Sequence, residues 1–296
     1  MRKGKEKNLF TFYACSYIVM FIFSYYVLMF VHIRKIYKYK KNIYFFYLGN
    51  YVSLYIMILL LQIFLASFDR LLYKPRKFNE MTEESLNEIF NPFFTHEILI
   101  KTIKVVRICS ECNAYKPPRT HHCQICDLCF TKMDHHCFLL NVCIGHTNYK
   151  HYYLFLLVNW MYSTFLFVLF LHYVISANQT PARMAFYVLA IISNGIILII
   201  ALIFLVLHTR LLLFNETTIE RLAIDEFLAG DNNYEGIFQE GLLSTDENMD
   251  VRDRKLLNPY FLGYIENVKE VFGDNYCEWI MPYFTGRSNG IYFKKH

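Results

Sequence analysis

Residues 109–143 read CSECNAYKPPRTHHCQICDLCFTKMDHHCFLLNVC, and this stretch holds seven of the nine cysteines of the chain. Its spacing runs Cys109-x2-Cys112-x9-His122-Cys123-x2-Cys126-x2-Cys129-x5-His135-x7-Cys143. Paired CxxC turns with histidines nearby are what tetrahedral zinc sites require. The eight residues of that string suffice for two zinc ions, although spacing does not choose His121 from His122, or His135 from His136. Cys137 is then left over, beside His136 and close to Asp134. A thiol not needed for structure, with a base and a carboxylate next to it, is the pattern of an activated nucleophile.

Working outward, the chain of 296 residues is 55% hydrophobic and 18% aromatic, with a mean hydropathy of +0.24. That composition is too apolar for an ordinary soluble domain. Four apolar runs are long enough to cross a hydrocarbon core, which takes about 20 helical residues. They are Leu9 to Ile33, Ile43 to Ser67, Tyr152 to Ala177 and Met184 to Phe214. The first exceeds the length of about 7–15 residues of a signal-peptide core and has no convincing small-residue cleavage site, so it reads as a span. The expected architecture is an all-α polytopic membrane protein with four transmembrane helices and a cytosolic zinc-binding cysteine-rich domain. The segments are 1–68 (N-terminal segment and first two spans), 69–150 (loop, with a cysteine-rich core at 104–150), 151–214 (last two spans) and 215–296 (C-terminal tail).

Four spans put both termini and the loop on one side. Zinc-binding thiols persist in a reducing compartment, which places that side in the cytosol. The loop after the first span, with Arg34, Lys35, Lys38, Lys40 and Lys41, opposes this by the positive-inside rule. Asn178-Gln179-Thr180, between the last two spans, is an acceptor sequon that would be usable only in the lumen. The acidic stretch from Asp225 to Asp253 reads as a solvated connector. Cys15 and Cys277 read as small apolar residues or free thiols. A net charge of +5 with scattered basic residues argues against a nucleic-acid partner.

The stretch from Cys109 to Tyr153 resembles the cysteine-rich domain of the DHHC protein S-acyltransferases, the zinc-dependent palmitoyltransferases. The matching features are Lys116-Pro117-x-Arg119, His122-Cys123, the cysteines to Cys129, Asp134-His135-His136-Cys137, and Cys143-Ile144-Gly145-x2-Asn148. Thr217-Thr218-Ile219-Glu220 is similar to the family's TTxE motif, and Asn258-Pro259-Tyr260 through Asn267 to Val271-Phe272-Gly273 resembles its C-terminal conserved element. The pattern departs at Leu139 and Val142, where the family has tryptophan and asparagine, and at Asp69-Arg70-Leu71, where it has Asp-Pro-Gly.

The resemblance implies Cys109, Cys112, His122 and Cys129 around one structural zinc, and Cys123, Cys126, His135 and Cys143 around the other. It implies Cys137 as nucleophile, His136 as its general base and Asp134 as the residue orienting that base, with Thr218 and Asn267 in support. The activity implied is transfer of a long-chain acyl group from palmitoyl-CoA, through an acyl-enzyme on Cys137, to cysteines of membrane-associated proteins. The implied setting is an endomembrane, Golgi or ER, and no accessory subunit is indicated. Lys116, Arg119 and Lys132 are candidates to attract the CoA phosphates, although anionic lipid is a common partner for such residues. Tyr162, about two turns into the third span, is a candidate end wall for an acyl cavity. Three other readings compete. A disulfide framework suits a cytosolic loop poorly, a RING-type ligase does not fit the His122-Cys123 pair, and an inactive zinc-domain adaptor would keep the eight ligands while tolerating loss of Cys137.

Overall fold

The structure, a computed structural model, describes residues 49–61, 63, 108–176, 180–230 and 254–295, with Val19, Ile22, Phe23, Tyr25 and Tyr26. Most of the first expected span, Cys15, the basic loop, Asp69-Arg70-Leu71, Asn178 and Gln179 of the sequon, and the acidic stretch beyond Gly230 lie outside the described residues.

Among the described residues, two helices are long and apolar enough to cross a membrane: α2 (Tyr149–Ser176) and α3 (Pro181–Phe214). The shorter apolar helix α1 (Gly49–Leu61) falls inside the expected second span. Ile192, Ile199, Ile203 and Val206 of α3 point outward, as side chains facing lipid do, while α2 and α3 pack along each other. Thirty-four residues make a helix of about 51 Å, longer than a hydrocarbon core of about 30 Å.

The cysteine-rich stretch corrects the all-α expectation. It forms three successive antiparallel hairpins: β1 (Ile108–Cys109) with β2 (Ala114–Tyr115), β3 (His121–Cys123) with β4 (Leu128–Phe130), and β5 (His135–Cys137) with β6 (Val142–Ile144). Strands of two or three residues are too short to leave an alternating pattern in the sequence, and such hairpins are marginal alone. Their tips recur: Asn113, Asp127 and Asn141 all have positive φ, at 48°, 57° and 55°. Asn and Asp tolerate this left-handed conformation better than bulkier residues do.

The end of α3 is joined to the hairpins by a short turn. Asn215 takes the left-handed conformation that stops the helix, and α4 (Thr218–Leu228) starts three residues later. Thr217 and Glu220 form a reciprocal capping box, which satisfies two backbone donors that a helix start leaves open. The chain then returns through the turn α5 (Arg254–Leu257) to α6 (Tyr264–Phe272). Asn267 is fully buried; its Nδ2 donates to the Leu213 carbonyl at 2.7 Å and its Oδ1 accepts from the Leu262 N–H at 2.8 Å, tying α6 to the end of α3.

Candidate active site and metal centres

Side chains of successive strand residues point to opposite faces, and directly paired residues share a face. His122 pairs with Cys129 across β3–β4, so both point to one side while the adjacent Cys123 points to the other. Cys109, Cys112, His122 and Cys129 accordingly converge, with His122 Nδ1 3.5, 3.3 and 3.8 Å from the three sulfurs in that order and Cys112 and Cys129 sulfurs 3.7 Å apart. A tetrahedral zinc with bonds of about 2.3 Å to sulfur and 2.0–2.1 Å to nitrogen separates its ligand atoms by about 3.6–3.8 Å. The donor set and its spacing fit such an ion.

The second cluster is Cys123, Cys126, His136 and Cys143. His136 Nδ1 lies 3.6, 3.4 and 3.5 Å from the three sulfurs, and the Cys126 and Cys143 sulfurs are 3.6 Å apart. The two histidines of the DHHC stretch are therefore exchanged relative to expectation. His136, not His135, joins the cysteines, because it is the residue paired with Cys143 across β5–β6. Strand alternation sends its neighbours His135 and Cys137 to the opposite face. A sequence signal for this existed: each member of the second cluster lies fourteen residues after its counterpart in the first.

On that opposite face His135, rather than His136, stands between Asp134 and Cys137. Asp134 Oδ2 lies 2.6 Å from His135 Nδ1, and the Cys137 thiol acts electrostatically on the same imidazole. Asp134 is almost wholly buried; its Oδ1 accepts from the Thr218 N–H at 2.9 Å and its Oδ2 from the Thr218 hydroxyl at 2.8 Å. Burial opposes ionisation of this carboxyl, but the His135 contact and the Thr218 N–H outweigh it and bring the pKa down to about 2. For His135, burial favours the neutral ring, yet Asp134 and Cys137 together raise it to about 9. An imidazole held by a carboxylate thus borders one cavity with a thiol, the grouping of an activated nucleophile.

A residue that sequence reasoning did not single out completes the surroundings. His208, buried in α3, places its ring 5.5 Å from that of His135 and 5.0 Å from that of Tyr152, and its Nδ1 lies 3.3 Å from the Tyr149 hydroxyl. Being isolated in an apolar helix, it carried no spacing signal. A cavity of about 700 Å³ opens here, reached by His135, Cys137, Thr218 and Arg221 and walled by apolar residues such as Phe155, Leu156, Ile197 and Phe204. Tyr162 is not part of that wall. It lies beyond Asn159 on α2, buried, with its hydroxyl accepting a 2.8 Å hydrogen bond from Ser53 of α1. Lys132 and Arg119 are drawn inward to Asn215 rather than left at the surface. Cys277 is exposed and belongs to neither cluster.

The chain is similar in sequence to known proteins. The family model described as DHHC palmitoyltransferase matches residues 103–225. The human palmitoyltransferase ZDHHC20 is 30% identical over 230 residues, covering 74% of this chain and 55% of the relative. ZDHHC15 of Rattus norvegicus and ZDHHC2 of Mus musculus are each 31% identical over 192 residues, 64% of this chain, covering 50% and 46% of those proteins. The chain thus spans about half the length of the curated relatives it matches. Residues 103–225, from just before the first hairpin into α4, match the DHHC palmitoyltransferase family model.

Proposed function

We propose that this protein is a protein S-acyltransferase that forms an acyl-enzyme on Cys137 and passes the acyl group to cysteines of membrane-associated proteins. One observation carries the reading: Cys137 lies outside both metal clusters and shares an apolar cavity with an imidazole held by a buried carboxylate. A volume of about 700 Å³ falls within the range of small-molecule sites, about 300–1,000 Å³. Each buried CH2 contributes about 0.8 kcal/mol, so a sixteen-carbon chain stands to gain on the order of 10 kcal/mol from such walls. The relatives' names point to the palmitoyl group.

In the first step the Cys137 thiol gives its proton to His135 and its sulfur attacks the carbonyl carbon of the acyl-CoA thioester. The tetrahedral intermediate collapses by expelling CoA thiolate, which takes the proton from His135. In the second step a substrate cysteine gives its proton to His135 and attacks the new thioester, and Cys137 leaves and is reprotonated. One thioester replaces another, so neither step needs an external energy source. Asp134 fixes the ring by its bond to Nδ1, leaving Nε2 for the thiol, and stabilises the imidazolium formed in each step. Thr218 holds Asp134 by two hydrogen bonds.

The two clusters are assigned to structural zinc, since each offers four protein ligands and no open position. They would pin the hairpins whose opposite face carries the catalytic groups. Four spans, cytosolic termini and an endomembrane location complete the proposal, with the segment boundaries 1–68, 69–150, 151–214 and 215–296. Support for the membrane setting comes from α2 and α3. The test is incubation of the purified protein with palmitoyl-CoA, followed by mass spectrometry of the Cys137 peptide with and without hydroxylamine. A hydroxylamine-sensitive acyl group at Cys137 is expected; its absence from a folded, zinc-loaded protein would refute the reading.

A further inference from the structure

Beyond α6 the chain turns back over the hairpins and ends its described part against them. Gly273 permits the turn: its φ is +83°, and an added Cβ would lie 2.7 Å from the Thr285 carbonyl oxygen. The Thr285 hydroxyl donates to the Phe272 carbonyl at 2.5 Å, and Lys150 Nζ donates to the Glu278 carbonyl at 2.8 Å and to Thr285 Oγ1 at 2.7 Å. Farther on, Ser288 Oγ lies 2.9 Å from His146 Nε2, and Gly290 sits so close that an added Cβ would meet the His146 ring at 2.9 Å. This strap delivers Phe293 to Arg119.

Arg119 is buried, with its guanidinium 4.2 Å from the Tyr260 ring centroid and 5.1 Å from that of Phe293. Its Nε and Nη2 donate to the two oxygens of Glu220, each at 2.7 Å, while Nη1 donates to Asn215 Oδ1 at 3.2 Å and Nη2 to the Asn215 carbonyl at 2.8 Å. Glu220 in turn accepts from the Thr217 N–H at 2.8 Å, closing the capping box that starts α4. The next residue, Thr218, holds Asp134 by its N–H and hydroxyl. A series of contacts therefore runs from Phe293 through Arg119 and Glu220 to Thr217, and from its chain neighbour Thr218 to Asp134.

We propose that the C-terminal strap is a positioning element for the catalytic carboxylate, with Phe293 closing an aromatic box on Arg119 and thereby setting the α4 start that orients Asp134. A buried ion pair contributes only when its geometry is good and its remaining donors are satisfied, and Arg119 meets both conditions through Glu220 and Asn215. The two rings exclude water from the guanidinium and attract it through their π faces. Phe293 lies outside the family match, so this links a tail residue to the shared domain. The inference rests on the acyl-transfer reading for its consequence but on separate contacts for its geometry.

The experiment uses the full chain in bilayer nanodiscs, with Phe293→Ala, Phe293→Leu, Phe293→Tyr, Thr218→Ala and the Phe293→Ala/Thr218→Ala double variant. Three quantities are measured: the rate constant and KM for Cys137 acylation by palmitoyl-CoA, the rate of Cys137 alkylation by iodoacetamide followed on its peptide, and zinc content. Phe293→Ala is expected to lower both rates roughly tenfold, the scale of one desolvated cation–π pair, with KM and zinc unchanged. Phe293→Leu, which keeps bulk but loses the π face, should resemble Ala, and Phe293→Tyr should restore the parent rates. On a Thr218→Ala background, where only the backbone N–H of residue 218 still reaches Asp134, Phe293→Ala should lower the rates by less than it does alone. Unchanged rates, full multiplication of the two effects, rescue by Leu, or zinc loss in Phe293→Ala would each overturn the proposal. If the parent forms no acyl-enzyme, the acyl-transfer reading falls, and the alkylation pattern alone upholds or overturns the strap.

Discussion

The second and third hairpins are two uses of one design. In β3, His122 and Cys123 face opposite ways and serve two different clusters; in β5, His136 takes the part of His122, and Cys143 on β6 takes that of Cys129. Cys137 stands fourteen residues after Cys123, but where Cys126 would recur the chain has Leu140. A thiol in a metal-knuckle position thus has no second sulfur beside it, and its face opens onto a cavity instead of a cluster. The contrast suggests how rigidity and reactivity are separated: the outward face of the last hairpin is free for chemistry because its other face is tied to Cys123 and Cys126.

The largest expected effect breaks the comparison at the two matching cysteines. Cys137→Ser should remove acyl-enzyme formation by on the order of 10⁴-fold or more while two zinc ions per chain are retained. Cys123→Ser should instead lower zinc content and folded yield together, because metal affinity at a structural site is folding free energy. Acylation measured with elemental analysis of the same samples checks both. A chain that holds one zinc or none, or that loses metal with Cys137, would end the assignment of separate roles.

Next in size is the pair of adjacent histidines. His135→Ala should slow acylation about 10²- to 10⁴-fold, the range of a lost general base, with zinc content kept. His136→Ala should lose about one zinc per chain and unfold the hairpins. Metal loss on replacing His135 rather than His136 would restore the ligand set expected from the sequence. A smaller effect belongs to Thr218→Ala. One of the two hydrogen bonds to Asp134 is lost, and a bond to a charged group is worth about 1.5–3 kcal/mol, so acylation should fall about 10- to 100-fold at constant zinc. The remaining N–H bond keeps Asp134 partly oriented, and a single-turnover acylation rate checks the value.

Chemistry that is local in the chain was legible before the fold was known. The cysteines, the Asp134 to Cys137 run and the order of loop and apolar helices all follow from spacing and composition. The choice between His135 and His136 was present as a fourteen-residue recurrence, but counting ligands does not reveal it; strand pairing does. The hairpins themselves were hidden, since strands this short leave no period. The cavity wall was hidden for a different reason. Helices apolar on every side, such as α2 and α3, carry no phase that says which residues face each other. The Arg119–Glu220 pair spans about a hundred residues of sequence and had no local mark at all.

The smallest expected effect concerns the far end of the cavity, where the aromatic end wall read from the sequence meets a different geometry. Tyr162 is outside the wall and bonded to Ser53, so it closes the end only if the α1–α2 contact blocks the path beyond Asn159. Tyr162→Ala would remove a buried ring and its hydrogen bond together, opening space that added methylenes can occupy. Each is worth about 0.8 kcal/mol when buried, so a chain longer by two carbons should gain more than about tenfold in relative preference. Ser53→Ala removes the hydrogen bond but leaves the ring, and should shift the preference far less. Competition between acyl-CoAs of increasing length reads both variants. A shift of equal size in the two would place the stop in the hydrogen bond rather than in the ring, and no shift in either folded variant would place it on α3, whose Ile196 and Ile200 already line the opposite wall.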